Sequence, residues 1–207
     1  MKKIVITGGN GAIAQGIKQL LLSKEGFEIL TPGSLELDVT NISLIQKYMS
    51  KNRPDVLINN AGYIVPQSIT DGNIYEDQKS ININLQGVFS CTNVALRYNP
   101  SCQIINIGAA AAVEAHGDWS AYCASKAGVA MATKCWAEDG LYSVCISPGR
   151  TASKMRENLF PGEDQETLLM PNELAKVVFL AIEKKIESGS HLIVKKNNVN
   201  MILKGVI

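Results

Sequence analysis

Short apolar segments alternate with longer amphipathic segments along the whole chain, and this alternation limits the folds that are open to it. Six segments rich in β-branched residues predict strands, and the first of these is Lys3–Thr7. Helical patterns lie between them, such as Ala12–Ser23, whose isoleucines and leucines share one face. The other predicted strands lie in FEILT, DVLINNAG, CQIINIG, LYSVCISPG and SHLIVKK. Regular alternation of this kind predicts an α/β fold, with a parallel sheet covered by helices on both faces.

The remaining helical patterns indicate how the chain is organised. One long helix is predicted from about Asn73, and another carries Pro171 in its first turn. No repeat and no linker divides the sequence, so residues 1–207 are predicted to form one domain. Its least regular part, about 150–170, is predicted to be a substrate loop.

Charge and cysteine content exclude several classes of function. The net charge is +1, which gives no reason to expect nucleic acid or an anionic membrane as a partner. Five scattered cysteines without a CxxC pair, together with only two histidines, argue against a disulfide framework and against a metal site. No apolar run is long enough to span a membrane. These features predict a cytoplasmic protein without a bound metal.

A glycine-rich turn follows the first predicted strand and opens a helix, in VITGGNGAIAQG. Such a turn lets backbone amides approach a pyrophosphate at the positive end of the helix. Glycine turns without a ligand are common, but the position after the first strand favours dinucleotide binding and a three-layer, doubly wound, Rossmann-like sheet. The predicted phosphate-binding residues are Thr7, Gly8, Gly9, Asn10, Gly11, Ala12 and Ile13.

The end of the second strand bears on the choice between NAD and NADP. It reads ILTPGS, with no acid to bind the ribose hydroxyls of NAD and no base to bind a 2′-phosphate. Thr31 and Ser34 are able to donate hydrogen bonds to a phosphate, so NADP is favoured over NAD. Asp38 is predicted to bind the adenine amino group, with Val39 packing on the ring; the alternative for Asp38 is a turn or helix-cap residue.

Five motifs in order resemble the short-chain dehydrogenase/reductase family: TGGNGAIA, NNAG at 59–62, INLQGVF, YCASK and SPG at 147–149. The resemblance covers nearly the whole chain and implies an NAD(P)-dependent oxidoreductase acting on a small carbonyl or alcohol. It implies Tyr122 and Lys126 as the catalytic pair and Asn84 as the residue that places a water in the proton path. It further implies that Lys126 holds the nicotinamide ribose and that Tyr122 also contacts the cofactor. Other implied cofactor contacts are Asn60, Ala61, Gly62, Pro148, Gly149, Thr151 and Ser153.

The spacing of Tyr122 and Lys126 carries a chemical argument of its own. Residues i and i+4 of a helix share a face, so the two side chains are neighbours. A phenol has an ordinary pKa of about 10, and a nearby lysine cation together with the nicotinamide ring is expected to lower it. Tyr122 then donates a proton to a carbonyl oxygen as hydride arrives. The alternative is a half-buried tyrosine and a surface lysine on an amphipathic helix.

One position departs from the family pattern. The family normally has a serine thirteen residues before the tyrosine, and this chain has Ala109 there. Removing one such donor typically costs about 2.7–4 kcal/mol of transition-state stabilisation. One interpretation is a substrate that needs less polarisation, as in the dihydropteridine reductases, which this chain resembles here in keeping tyrosine and lysine with alanine. The other interpretation is a non-catalytic dinucleotide-binding protein.

The substrate loop and the long helices suggest partners. The loop resembles that of sugar and sugar-phosphate reductases of surface-polysaccharide pathways, which implies a sugar, sugar-phosphate or nucleotide-sugar substrate. Arg150 and Arg156 are predicted to clamp a phosphate or carboxylate; the alternative is salt bridging with Glu157 and Glu163. His116 either lines the pocket or is solvated. The family resemblance also implies a homodimer or homotetramer that packs through the long helices.

Overall fold

The computed structural model describes residues 1–205 and contains one six-stranded sheet in which every strand pair is parallel. The strands are β1 (Lys2–Ile6), β2 (Phe27–Leu30), β3 (Val56–Asn59), β4 (Gln103–Ile107), β5 (Ser143–Pro148) and β6 (His191–Val194). Across the sheet they follow the order β2-β1-β3-β4-β5-β6. The doubly wound parallel sheet predicted from the sequence is therefore confirmed.

Eight α-helices accompany the sheet within residues 1–205. They are α1 (Ala12–Leu22), α2 (Ile42–Asn52), α3 (Ile74–Ile81), α4 (Gly87–Tyr98), α5 (Ser120–Glu138), α6 (Lys154–Leu159), α7 (Pro171–Ile182) and α8 (Val199–Leu203). The sequence analysis did not predict the short helices α6 and α8.

Helices cover the sheet from both sides, and this explains why its middle strands are apolar. On one face, α1 and α7 contribute to a core that includes Ile6 and Val178. On the other face, α2 and α4 pack on the sheet through Ile45, Leu57 and Val94. Every residue of β3, β4 and β5 is buried. Each large apolar side chain that is buried in this way contributes about 1.5–3 kcal/mol of stabilisation.

The order of the strands positions the functional site. The chain leaves β1, forms β2 on one side of it, and then crosses to β3 on the other side. The connections that follow β1 and β3 therefore diverge, and a crevice opens at the carboxyl ends of these two strands. Open α/β sheets bind their ligands at such a switch point.

The long helix predicted from Asn73 is interrupted. Asn73 caps α3, since its side chain accepts a hydrogen bond from the Tyr75 N–H at 3.0 Å. A π-helical turn then spans 82–86 before α4 begins. The hydrophobic pattern could not predict this turn, because it changes backbone hydrogen bonding without changing which residues are apolar. Such turns occur frequently at functional sites.

The predicted substrate loop at 150–170 is more regular than its sequence indicates. It contains α6 and a 3-10 turn at Gln165–Thr167. Ser153 caps α6, because its hydroxyl accepts a hydrogen bond from the Arg156 N–H at 3.1 Å. The predicted domain extends to residue 207, and residues 206 and 207 lie outside the described part of the chain.

Candidate active site

The glycine turn after β1 has a conformation that its backbone contacts require. Gly8 has a φ of +65°, and a β-carbon there would lie 2.8 Å from the Ala61 α-carbon. A β-carbon on Gly9 would lie 2.1 Å from the carbonyl oxygen of Thr31. Both glycines are therefore needed to let the segments after β2 and β3 approach this turn.

Hydrogen bonds tie the NNAG segment to the glycine turn. The backbone N–H groups of Asn60 and Ala61 both donate to the buried Thr7 hydroxyl at 3.0 Å. The Asn60 side-chain amide donates to the Thr7 carbonyl at 2.9 Å. The predicted cofactor residue Thr7 thus connects β1 with β3. Its neighbour Asn59 points into the protein and donates to Asn106 at 2.9 Å.

The amino end of α1 is suited to an anionic group. Gly11 precedes the helix and supplies no side-chain cap, and the first turn contains no acidic residue. The first-turn amides and the positive end of the helix dipole are therefore not neutralised by a side chain of that turn. Gly11, Ala12 and Ile13 all line the large cavity beside β1. This arrangement fits the pyrophosphate of a dinucleotide.

A single cavity of about 1370 Å³ connects this helix end with the predicted catalytic pair. Drug-sized ligands occupy pockets of roughly 300–1,000 Å³, so there is space for a dinucleotide together with a small substrate. The cavity brings together the residues predicted to bind cofactor or substrate except Thr7, Gly9 and Thr31, which do not line it. Those on the wall are Gly8, Asn10, Gly11, Ala12, Ile13, Ser34, Asp38, Val39, Asn60, Ala61, Gly62, Ala109, His116, Tyr122, Lys126, Pro148, Gly149, Arg150, Thr151, Ser153 and Arg156.

Tyr122 and Lys126 lie one turn apart on α5 and both face the cavity. The Lys126 ammonium group lies 5.8 Å from the centre of the Tyr122 ring. It also donates a hydrogen bond to the Ile107 carbonyl at 2.9 Å. Tyr122 and Lys126 therefore share one face of α5, as their i and i+4 spacing predicts. The Ile107 carbonyl at the end of β4 accepts the hydrogen bond that holds the lysine in place.

The protonation of this pair is governed by burial. Burial raises the pKa of Tyr122 to about 12 and lowers the pKa of Lys126 to about 8. The lowered tyrosine pKa predicted from the sequence depends on the nicotinamide ring as well as on the lysine, and it stays a prediction for the protein with cofactor bound. In the protein alone, desolvation of the phenolate raises the pKa of Tyr122. At neutral pH Tyr122 is therefore protonated, which is the form that donates a proton.

Asn84 lies behind the cavity wall, in the π-helical turn, and is completely buried. Its side-chain oxygen accepts a hydrogen bond from the Tyr63 N–H at 2.8 Å, and its amide donates to the Tyr63 carbonyl and to Ser80. A β-carbon on Gly62 would lie 3.5 Å from the Asn84 oxygen and 4.0 Å from the Lys126 nitrogen. The Asn84 side chain thus orients the segment next to the lysine, and the water-placing role stays a prediction.

Ala109 lines the cavity as predicted from its spacing to Tyr122, and no hydroxyl takes its place from the neighbouring positions. It precedes a 3-10 turn formed by Ala110–Ala112. The nearby Ser147 hydroxyl is hydrogen bonded to His191 Nε2 at 2.7 Å. Ser120 is solvent-exposed at the start of α5. The cavity wall is therefore apolar at Ala109.

Aromatic side chains form a wall beside Tyr122 that the sequence analysis did not predict. Trp119 meets the Tyr122 ring edge-on at 5.9 Å between ring centres and lies 6.1 Å from Phe160. His116 is 4.8 Å from Trp119 on another side. All four residues line the cavity. The position of Trp119 three residues before the predicted catalytic tyrosine was an available signal, whereas Phe160 comes from a distant part of the chain.

The two predicted arginines are paired with one carboxylate. Arg156 binds Glu163 through two hydrogen bonds of 2.6 and 2.7 Å, and Arg150 binds the same group at 3.2 Å. Hydrogen bonding from Arg156 is the main cause that holds the Glu163 pKa below its ordinary value. The salt-bridge alternative thus describes the contacts with Glu163, whereas Glu157 pairs with Lys154 at 3.5 Å. Both arginines also line the cavity. Two guanidinium groups and one carboxylate leave one net positive charge.

The sequence predicted neither a membrane-spanning segment nor a metal site. None of the helices in the described residues has the length and apolar character needed to cross a bilayer. Within residues 1–205, no three metal-ligating side chains of histidine, cysteine, aspartate or glutamate cluster together.

Comparison with known families now bears on this site. The family described as short chain dehydrogenase matches residues 33–164, which is more than half of the chain. The chain belongs to the short-chain dehydrogenase family. The prediction of an NAD(P)-dependent oxidoreductase is therefore confirmed at the level of the family.

Two relatives illustrate the range of this family. A 3-oxoacyl-(acyl-carrier-protein) reductase of Thermotoga maritima is 29% identical over 194 residues, covering 79% of this chain and 78% of the relative. A dTDP-4-dehydrorhamnose reductase of Aggregatibacter actinomycetemcomitans is 28% identical over 99 residues, covering 48% of this chain and 32% of the relative.

Solved structures agree with the short-chain dehydrogenase fold. A small-chain dehydrogenase in complex with NADPH superposes with a TM-score of 0.84 at 16% identity, covering 96% of this chain and 99% of that one. A 4-hydroxyisoleucine dehydrogenase complexed with NADH superposes with a TM-score of 0.79 at 24% identity, covering 94% of this chain and 96% of that one. At such identities the likeness concerns the fold.

Proposed function

We propose that this short-chain dehydrogenase uses NAD(P)H to reduce the carbonyl group of a small sugar or sugar phosphate. The observation that carries the proposal is that the amino end of α1 and the Tyr122–Lys126 pair open into one cavity. A bound NAD(P)H supplies the hydride. Tyr122 donates its proton to the carbonyl oxygen, and Lys126 provides a cation beside the phenol, so that the phenolate left behind is stabilised.

The surroundings of Tyr122 support a sugar-like substrate. The rings of Trp119 and Phe160 lie on the wall that carries Tyr122 and offer apolar surface for the C–H face of a sugar ring. The Arg156 guanidinium stacks over the Phe160 ring at 3.8 Å from its centre, so Trp119 is the main platform. The net positive charge of Arg150, Arg156 and Glu163 lies on the same cavity and favours an anionic substituent. The partial likeness to dTDP-4-dehydrorhamnose reductase agrees with this substrate class.

Ala109 favours a second candidate, a protein that binds the dinucleotide but reduces little. The intact cavity, with Tyr122 and Lys126 in one turn, favours the catalytic candidate. A screen of ketoses, keto-sugars and their phosphates, with NADH and with NADPH, separates the two. Oxidation of either cofactor by a sugar substrate supports the proposal. Binding of cofactor without turnover of any carbonyl compound contradicts it and supports the second candidate.

Trp119→Ala is expected to raise KM for the substrate by about tenfold with a smaller change in kcat, because about 1.4 kcal/mol of ring packing is lost from binding. Steady-state kinetics of the variant measures both constants. Trp136→Ala is the matched control, since Trp136 packs on Phe89 at 5.2 Å and does not line the cavity. An equal rise of KM in both variants would show that the effect is not local to the aromatic wall.

We also propose a homo-oligomer formed through α4 and α5. Phe89 and Met131 lie on these helices with 41% and 60% of their surface exposed, so both are accessible to a partner helix. Light scattering coupled to size-exclusion chromatography should find a dimer or tetramer, and Met131→Glu should shift it to monomer. Met201→Glu, at the 46% exposed methionine of α8, is the control that should not. A monomeric wild type would refute the assignment.

The cellular location is a further part of the proposal. All five cysteines are unpaired thiols, and Cys91, Cys102 and Cys145 are buried. Thiols in this state suit a reducing compartment, and we infer that the protein works in the cytoplasm. We likewise regard residues 1–207 as one NAD(P)-binding unit, because the only sheet within residues 1–205 is continuous.

A further inference from the structure

We propose that this protein binds NADH in preference to NADPH and that Glu36 sets the preference. The inference rests on the NAD(P)-dependent function proposed above and reverses the NADP preference predicted from the sequence. It concerns a recess at the end of the cavity remote from Tyr122, where the segment after β2 meets the glycine turn.

The recess adjoins the part of the cavity that fits the adenosine half of a dinucleotide. Its volume is about 320 Å³. Asn10 and Ser34 line both the recess and the main cavity, so the two spaces are continuous. Asp38 and Val39, predicted to contact the adenine, lie on the adjoining wall. The residues that line the recess are Asn10, Gly33, Ser34, Leu35 and Glu36.

The charge of this recess disfavours a 2′-phosphate. Glu36 is the only ionisable residue in its lining, and no lysine or arginine belongs to that lining. Asp38 adds a second carboxylate on the adjoining wall. Proteins that accept NADP commonly place an arginine at the 2′-phosphate, whereas an acidic residue accepts hydrogen bonds from the ribose hydroxyls of NAD. Glu36 therefore repels the first group and is able to bind the second.

The structure leaves fewer hydrogen-bond donors for a 2′-phosphate than the sequence predicts. Thr31 lines neither the recess nor the main cavity, because its carbonyl lies against Gly9. Ser34 and the Asn10 amide remain as neutral donors. These two donors are able to bind a phosphate oxygen but carry no positive charge, so they do not cancel the repulsion between the Glu36 carboxylate and a phosphate dianion.

The turn that carries Glu36 is held in place. The N–H groups of Glu36 and Leu37 donate to the Gly33 carbonyl at 3.0 and 2.9 Å. A β-carbon on Gly33 would lie 2.8 Å from the Asn10 amide nitrogen, so this position packs directly against the glycine turn. Burial and, second, the negative charge of Glu36 raise the pKa of Tyr48 to about 12. The backbone of this turn is thus fixed, and the Glu36 carboxylate lies close enough to Tyr48 to act on its phenol.

The test is a titration of the purified protein with NADH and with NADPH, followed by fluorescence. NADH is expected to bind at least about tenfold more tightly than NADPH. The reason is that the 2′-phosphate dianion of NADPH is repelled by the nearby Glu36 carboxylate. Leu35→Arg adds a cation at a side chain that is 97% exposed and is expected to tighten NADPH binding by about tenfold with little effect on NADH. Leu22→Arg, at the 66% exposed leucine of α1, is the matched control and should change neither affinity.

Glu36→Gln tests the assignment of the residue. It is expected to reduce the ratio of the two affinities severalfold, while Glu25→Gln, an exposed acid outside the recess, leaves the ratio unchanged. Competition by 5′-AMP and by adenosine 2′,5′-bisphosphate isolates the adenosine end, and 5′-AMP should compete better. Equal or tighter NADPH binding by the wild type overturns the inference alone. An unchanged ratio in Glu36→Gln overturns the role of Glu36, and failure to bind either cofactor overturns the proposed function as well.

Discussion

Replacing Tyr122 by phenylalanine is expected to lower kcat for carbonyl reduction by about 10²–10⁴-fold, which is the usual contribution of one general acid. The substitution removes the phenolic proton and keeps the ring. Burial raises the pKa of Tyr122 to about 12, so the wild-type residue is protonated at neutral pH and ready to donate. The ring contact with Trp119 survives in phenylalanine, and we therefore expect no loss of thermal stability. Steady-state kinetics and a thermal melt measure the two effects.

Cofactor affinity separates a chemical role of Tyr122 from a structural one. Tyr122→Phe should bind NADH and NADPH with the wild-type affinities, because α1 and the glycine turn are unchanged. Tyr75→Phe is the matched control, since Tyr75 is 74% exposed on α3 and does not line the cavity. Wild-type turnover in Tyr122→Phe would contradict the proposed proton donor. A simultaneous loss of cofactor binding and stability would show that the residue acts through the fold.

Local sequence carries the parts of this site that depend on neighbouring residues. The i and i+4 spacing suffices to place Tyr122 and Lys126 on one face of α5, because helix geometry fixes that relation. The position of the glycine turn follows from the strand before it and the helix after it. The order of alternating elements was likewise enough to predict a parallel sheet, since parallel strands need crossover connections.

Contacts between distant segments explain what the sequence did not reveal. The aromatic wall joins Trp119 to Phe160 of the segment after α6, and no periodicity in the chain relates the two. The π-helical turn forms where Asn84 binds the backbone of Tyr63, twenty-one residues earlier. The raised pKa of Tyr122 depends on burial by many elements at once, whereas the sequence allowed only the charges of the nearby lysine and of the nicotinamide ring to be considered.

The second large effect is expected from Ala109→Ser. If the substrate is a ketone, a hydroxyl at this position supplies a second donor to the carbonyl oxygen and should raise kcat by about 10-fold or more. The upper limit of this gain comes from enzymes in which loss of one such donor lowers kcat by about 10²–10³-fold. Ala109 has an extended backbone conformation and lines the cavity, so the added oxygen has space. Kinetics on the substrate found in the screen, before and after the change, measures it.

The direction of this effect distinguishes the two interpretations of the alanine. Ala112→Ser is the control, since Ala112 belongs to the same 3-10 turn but does not line the cavity. A gain confined to Ala109→Ser means that the missing donor limits an otherwise working reductase. No gain in a protein with high wild-type turnover means that its substrate needs little polarisation, as an electron-poor C=N group would. No turnover before or after the change contradicts the reductase proposal, because Tyr122 and Lys126 would then lie in a cavity that binds without catalysing.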